Sequence, residues 1–102
     1  MKIIHNDGTI KVNEIEQLAA ANAGLFESSV RAALADCPRR IDIDLSQTDF
    51  VDCGGVGALV AVRKCARQRN AHATVHLLNP GVSARCLLKL TRMDSLFPIE
   101  SR

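Results

Sequence analysis

Aromatic residues are almost missing from this chain. Phe26, Phe50 and Phe97, with no tryptophan and no tyrosine, make up 3% of its 102 residues. The core of a domain this size must then be aliphatic, built from Ile, Val, Leu and Ala. The same shortage argues against a binder of single-stranded nucleic acid, which stacks bases on aromatic platforms. No apolar run approaches the roughly 20 residues of a transmembrane helix. The opening Met1-Lys2-Ile3-Ile4-His5-Asn6 is too short and interrupted for a signal peptide. Excess charge of either sign is lacking too: thirteen Lys+Arg against eleven Asp+Glu leave +2, which demands no polyanionic partner. The four cysteines, Cys37, Cys53, Cys65 and Cys86, include no CxxC pair. Metal-ligand spacing is therefore absent, and neither metal nor cofactor is expected. Without an export signal, a reduced, cytoplasmic compartment is the expectation in place of two disulfides.

What is present reads as one folded domain over residues 1–102, since 47% hydrophobic and 24% charged residues suit a globular chain. Ile3, Ile4, Ile10 and Val12 flank Asn6-Asp7-Gly8, a turn sequence, and predict a hairpin. From about Ala20 to Asp36 the period becomes helical, with Leu25, Phe26, Val30, Ala33 and Leu34 inward and Glu27, Ser28 and Arg31 wet. Cys37-Pro38 ends that helix, because the residue before proline avoids the helical region. Ile41-Asp42-Ile43-Asp44-Leu45 alternates cleanly and predicts a strand. A loop or short extension over Ser46 to Val51 follows.

Asp52-Cys53-Gly54-Gly55 then opens a second helix running to about Arg69, with Val56, Leu59, Val60 and Val62 apolar. Its late cations Arg63, Lys64, Arg67 and Arg69 complement the helix dipole. His72 to Leu78 reads as a strand. Asn79-Pro80-Gly81 predicts an N-cap with proline in the first turn of a third helix. That helix runs from Val82 to about Leu90, with Val82, Cys86, Leu87 and Leu90 as its apolar members. A short turn or strand is expected around Leu96-Phe97-Pro98-Ile99. Strands alternating with helices imply parallel neighbours. The expected fold class is α/β: one mixed sheet with an N-terminal antiparallel hairpin and helices packed mainly on one face.

In such sheets functional groups collect where strand ends meet helix starts, here Asp44 and Asp52 to Gly55. Nucleotide motifs fail on spacing. Gly55-Val56-Gly57 lacks a third glycine, because Val60 stands there, and Lys64 is too deep in the helix to act as a phosphate-loop lysine. Close packing is the simpler role for Gly54, Gly55 and Gly57. A Cys-x-x-x-x-x-Arg phosphatase loop would need arginine where Leu59 stands. Cys53 at a helix start could still be a tuned thiol, although His5, His72 and His76 are distant in sequence. Cys37, Cys65 and Cys86 read as core or boundary fillers. Asp44 and Asp52 could form a carboxylate site for Mg²⁺, but strand-end solvation and helix capping explain them more simply.

The segments Ile41-Asp42-Ile43-Asp44-Leu45-Ser46, Phe50 to Leu59, Leu77-Leu78-Asn79-Pro80 and Leu90 to Ile99 together resemble a STAS domain. That is the fold of bacterial anti-sigma-factor antagonists, also appended to sulfate-type anion transporters. The resemblance covers nearly the whole chain and is weakest before Ala20. It implies a non-enzymatic binding module of transcription control whose partner is an anti-sigma factor that is also a serine kinase of the histidine-kinase-like ATPase type. In that family a Ser or Thr directly after the loop aspartate is phosphorylated, which places about −2 charge at the contact and breaks the complex. A phosphate at a helix N-terminus is itself locally tolerated.

This chain departs from the family there. Cys53 follows Asp52 and Gly54 follows Cys53, so both positions lack a hydroxyl. The implied possibilities are a constitutively binding antagonist, thiol oxidation at Cys53 in place of phosphorylation, or control through Ser46 or Thr48. The Asp-x-Gly-Gly pattern also resembles the small STAS subunits that dock on ABC ATPases of bacterial lipid transport, the alternative reading. On the first reading the partner-binding residues are Asp52, Cys53, Gly54 and Gly55. Val56, Leu59 and Arg63 are expected on the accessible face of the helix, and Asp44 and Thr48 at the rim. A stand-alone switch module is the overall expectation.

Overall fold

The structure is a computed structural model that describes residues 1–101. Two strands, β1 (Lys2–Asn6) and β2 (Thr9–Asn13), form the expected antiparallel hairpin. Asp7 and Gly8 both take positive φ at its tip, the turn that matches strand twist and favours such residues. A two-residue strand, β3 (Gln17–Leu18), precedes α1 (Ala20–Ala33), which tightens into a 3-10 turn at Leu34–Asp36. Then come β4 (Arg40–Asp44), β5 (Phe50–Val51), α2 (Cys53–Arg69), β6 (Thr74–Leu78), α3 (Val82–Leu90) and β7 (Ile99–Glu100). The main sheet has the order β1-β2-β4-β6-β7, parallel throughout except for the hairpin. β3 and β5 pair in parallel as a separate small sheet, so the segment expected as a loop or short extension over Ser46 to Val51 ends in a paired strand.

The core is aliphatic, as the shortage of aromatics requires. Ile10, Val12, Ile41, Ile43, Val75 and Leu77 from the sheet meet Phe26 and Val30 of α1 and Val56, Leu59 and Val62 of α2. α1 and α2 also pack on each other. On the other side of β4 the alternation does not expose Asp42, which is 8% exposed. Arg40 Nε bonds the Asp42 carboxylate at 2.6 Å, and its Nη2 bonds Glu100 of β7 at 2.6 Å. His76 Nε2 lies 3.0 Å from the Thr74 hydroxyl, while its Nδ1 is 2.9 Å from a Glu100 oxygen. A polar ladder thus ties β4, β6 and β7 on the face of the sheet away from the aliphatic core.

Several expectations are corrected. Leu25 is 73% exposed, because Phe26, Val30 and Leu34 already supply the inward stripe of the first helix. Cys37 ends that segment in the left-handed region, its N–H bonded to the Leu34 carbonyl, and not in the extended region expected before proline. The third helix turns a different face inward: Ala84 and Leu88 are buried, Leu87 is half-buried, and Val82, Cys86 and Leu90 face solvent. Its N-cap is Gly81, since Asn79 takes a left-handed turn and Pro80 is buried ahead of the helix. Two of the supposed filler cysteines, Cys37 and Cys86, are exposed, and Cys65 is half-buried.

Candidate functional site

The start of α2 is set by a single carboxylate. Asp52 is its N-cap, and Oδ1 accepts the Gly55 N–H at 3.0 Å. The same carboxylate accepts the N–H of Ala20, the first residue of α1, at 3.0 and 3.2 Å. An N-cap normally satisfies the free amides of one helix; this one serves two. The Gly55 and Ala20 N–H groups stabilise the ionised form and hold the Asp52 carboxyl below its ordinary pKa. Beside it, Asn22 Oδ1 accepts the Ala19 N–H at 2.8 Å and completes the start of α1.

Glycine is required at two of the three positions read as close-packing. A Cβ on Gly55 would lie 1.8 Å from the Leu18 carbonyl oxygen, and one on Gly54 would lie 2.6 Å from Ala20 Cα. Only hydrogen fits between α2 and the β3–α1 junction at those points. Gly57 is different, with nothing within 4 Å of its missing side chain. Its surface is open, which corrects the packing role expected for it.

Cys53 is exposed at the first position of α2. Its neighbours are fixed by the Asp52 clamp and the two glycines, so the thiol stands on a rigid platform. Gly57, one turn on, is exposed beside it, followed by half-buried Val60 and Ala61 and exposed Lys64. These, not Val56 and Leu59, make the accessible face. Val56 and Leu59 are 4% and 1% exposed and belong to the core, a correction that follows from α2 turning its 56-59-62-66 stripe inward. Arg63 is half-buried and donates from Nε to the Leu96 carbonyl at 3.2 Å, so it tethers the C-terminal segment to α2. A spacing of four from Cys53 is the sequence signal that places Gly57 on the accessible face. The Ala20 amide carries no such signal, since it lies 32 residues from its acceptor.

The rim residues are mainly structural. Asp44 Oδ1 accepts the Ser46 N–H at 2.9 Å and turns the chain out of β4. The Thr48 hydroxyl donates to the Ile15 carbonyl at 2.6 Å and is part-buried. Ser46 is exposed, so of the two candidate hydroxyls it alone stands open to solvent. Among the described residues no cluster of three His, Cys, Asp or Glu side chains could hold a metal, and no helix is long and apolar enough to cross a membrane.

The architecture is shared with solved structures. A Thermotoga maritima protein described as a candidate anti-sigma factor antagonist superposes with a TM-score of 0.84 at 20% identity, over 99% of this chain and 86% of that one. A STAS domain protein of the anti-sigma-factor antagonist type from Planctomyces limnophilus gives 0.83 at 19% identity, over 98% and 87%. The unphosphorylated anti-sigma factor antagonist SpoIIAA, a Bacillus cell fate determinant, gives 0.80 at 14% identity, over 96% and 85%. At these identities the likeness establishes the fold. The sequence model of the STAS domain family matches residues 1–102, from the hairpin through the Asp52 clamp to the last strand. This chain belongs to the STAS domain family.

Proposed function

We propose that this chain is a non-enzymatic regulatory module of the anti-sigma-factor antagonist type. It binds an anti-sigma factor/kinase through the start of α2, and serine phosphorylation does not control it at position 53. The observation that carries this reading is the exposure of Cys53 on the Asp52-clamped helix start, where the family places a phosphorylated hydroxyl. SpoIIAA, a structural relative, is known in both phosphorylated and unphosphorylated forms. A thiol in that place offers the partner a neutral surface and no hydroxyl for the kinase. The accessible residues Cys53, Gly57 and Lys64 would meet the partner, while Asp52, Gly54 and Gly55 hold the platform.

The test is reconstitution. Tagged protein recovered from its native host is expected to bring down an anti-sigma factor with a histidine-kinase-like ATPase domain. Incubated with that kinase and ATP, the wild-type protein keeps its mass, and Cys53→Ser gains about 80 Da, one phosphate group. An increment in wild type mapped to Ser46 would replace constitutive binding with control from the loop. Recovery of an ABC ATPase in place of the anti-sigma factor would make the chain a transporter subunit. Loss of binding by wild type under peroxide, absent in Cys53→Ser, would establish the thiol as the switch.

A further inference from the structure

Two of the most exposed large apolar side chains lie along α3, outside the site just described. Val82 is 79% exposed and Leu90 is 81% exposed, with exposed Cys86 between them. At spacings of four they form one ridge about 12 Å long. The helix spends its other apolar stripe, Ala84 and Leu88, on the core, and the outer ridge lies outside that core. At the N-terminal end the ridge runs into a cleft of about 200 Å³ lined by Phe50, itself half exposed, and by Thr48, Asp49 and Val82. Contiguous exposed apolar surface of this kind marks an interaction site.

Charge selects the occupant. Arg85 and Lys89 follow Val82 and Cys86 by three residues and line one flank of the ridge, and Arg92 stands just beyond the helix end. Arg85 is braced by the Pro80 carbonyl and the Ser101 hydroxyl, so its guanidinium is held in place. Lys89 and Arg92 make no ion pair among the described residues. A second copy laid antiparallel would place Cys86 on a two-fold axis and Val82 against Leu90 of the copy. The same operation brings Arg85 and Lys89 toward the copy's Lys89 and Arg85, and like charges oppose it. A bilayer is a poor match, because an interfacial helix buries a broad band of large apolar side chains and this ridge offers two.

We propose that the outer face of α3, with Phe50, is a second docking face, and that it takes an acidic amphipathic helix of a partner protein. Apolar anchors of that helix would lie along Val82, Cys86 and Leu90, and its carboxylates would meet Arg85, Lys89 and Arg92. This face does not use Cys53, Gly57 or Lys64 and does not depend on the reading given for them.

The probe is a synthetic 18-residue peptide with leucine at helical spacing and glutamate on the remaining face, titrated into the ¹⁵N-labelled chain. Amide shifts are expected at Phe50 and across residues 82–92, and Leu90→Glu should weaken binding about tenfold or more. A Lys89→Glu/Arg92→Glu variant should reverse the preference toward a peptide with lysine in place of glutamate. Leu90 and both cations are exposed, so each variant should keep the dispersed spectrum of the folded chain, and Val82→Ser is the second apolar truncation if Leu90→Glu does not. Absence of shifts, shifts confined to α2, or equal binding of the two peptides by wild type would overturn the proposal. So would pelleting with phosphatidylserine vesicles that Leu90→Glu abolishes, or a concentration-dependent dimer in sedimentation that the same variant dissociates.

Discussion

Asp52 does at residue scale what usually takes two side chains. Its carboxylate accepts amides from the first turns of both α1 and α2, and those bonds hold its pKa below the ordinary value. A carboxyl depressed in the folded state adds stability that is complete above the unfolded pKa, near 4, and disappears as pH falls through the folded value. Asp52→Asn keeps an oxygen acceptor but no charge. The variant should melt at lower temperature than wild type above about pH 5, and the two melting curves should converge in acid. Thermal melts by circular dichroism between pH 2 and 7 check this; parallel curves throughout would show that the charge at Asp52 is not coupled to folding. At the same scale, the burial of Val56 and Leu59 shows why an accessible role for them does not follow from the sequence. An apolar residue in the first turn of a helix looks the same in sequence whether a partner or the core covers it.

Among the elements, the contact between α2 and the β3–α1 junction sets the shape of the candidate site. Gly55 allows the first turn of α2 to touch the Leu18 carbonyl, and the Asp52 N–H donates to that same carbonyl at 3.2 Å. Gly55→Ala must therefore push backbone away from backbone, at a cost of about 1–3 kcal/mol. The loss should show in chemical denaturation, with amide exchange rising first at residues 17–18 and 50–52. Gly57→Ala, which meets open space, should leave amide exchange at those residues unchanged and raise the denaturation midpoint, because alanine gains helix propensity. The hairpin, the central strand and all three helices were legible, because turn chemistry and periodicity act over a few residues. β3 was not: two residues carry no period, and their pairing with β5 is decided by where α2 docks. The facing of α3 was ambiguous because Val82, Cys86 and Leu90 and Ala84 and Leu88 are two valid apolar stripes on one short helix. The carboxylate and the glycines of the site were legible as a group. Their division into platform and presented surface depended on contacts with residues 18 and 20.

Across the whole molecule, one face of the sheet is held by dispersion and the other by charge. Arg40 joins Asp42 on its own strand to Glu100 on β7, and the Asp42 bond chiefly keeps the guanidinium protonated beyond its usual range. Arg40→Met would leave Asp42 nearly buried without its donor, at about 1–3 kcal/mol. Denaturant midpoints should fall accordingly, and Asp42→Asn in the same background should recover part of the loss. An unchanged midpoint in Arg40→Met would show that the ladder contributes nothing to stability.

The clamp at Asp52 has an electrostatic consequence for the helical layer as a whole. Because one carboxylate reaches both helix starts, and Arg31, Cys65 and Arg69 share a cleft further along, α1 and α2 run side by side in the same direction. Their dipoles therefore add, about half a positive charge at each start, and together they match the single negative charge of Asp52. Much of the field that would welcome an anion is already offset. A doubly charged group attached at position 53 would meet a dipole partly spent on Asp52, so much of its charge would project outward. In this arrangement, a phosphorylated hydroxyl at that position would add negative charge to the presented surface without disturbing the helices beneath, and a thiol gives the kinase no such attachment point.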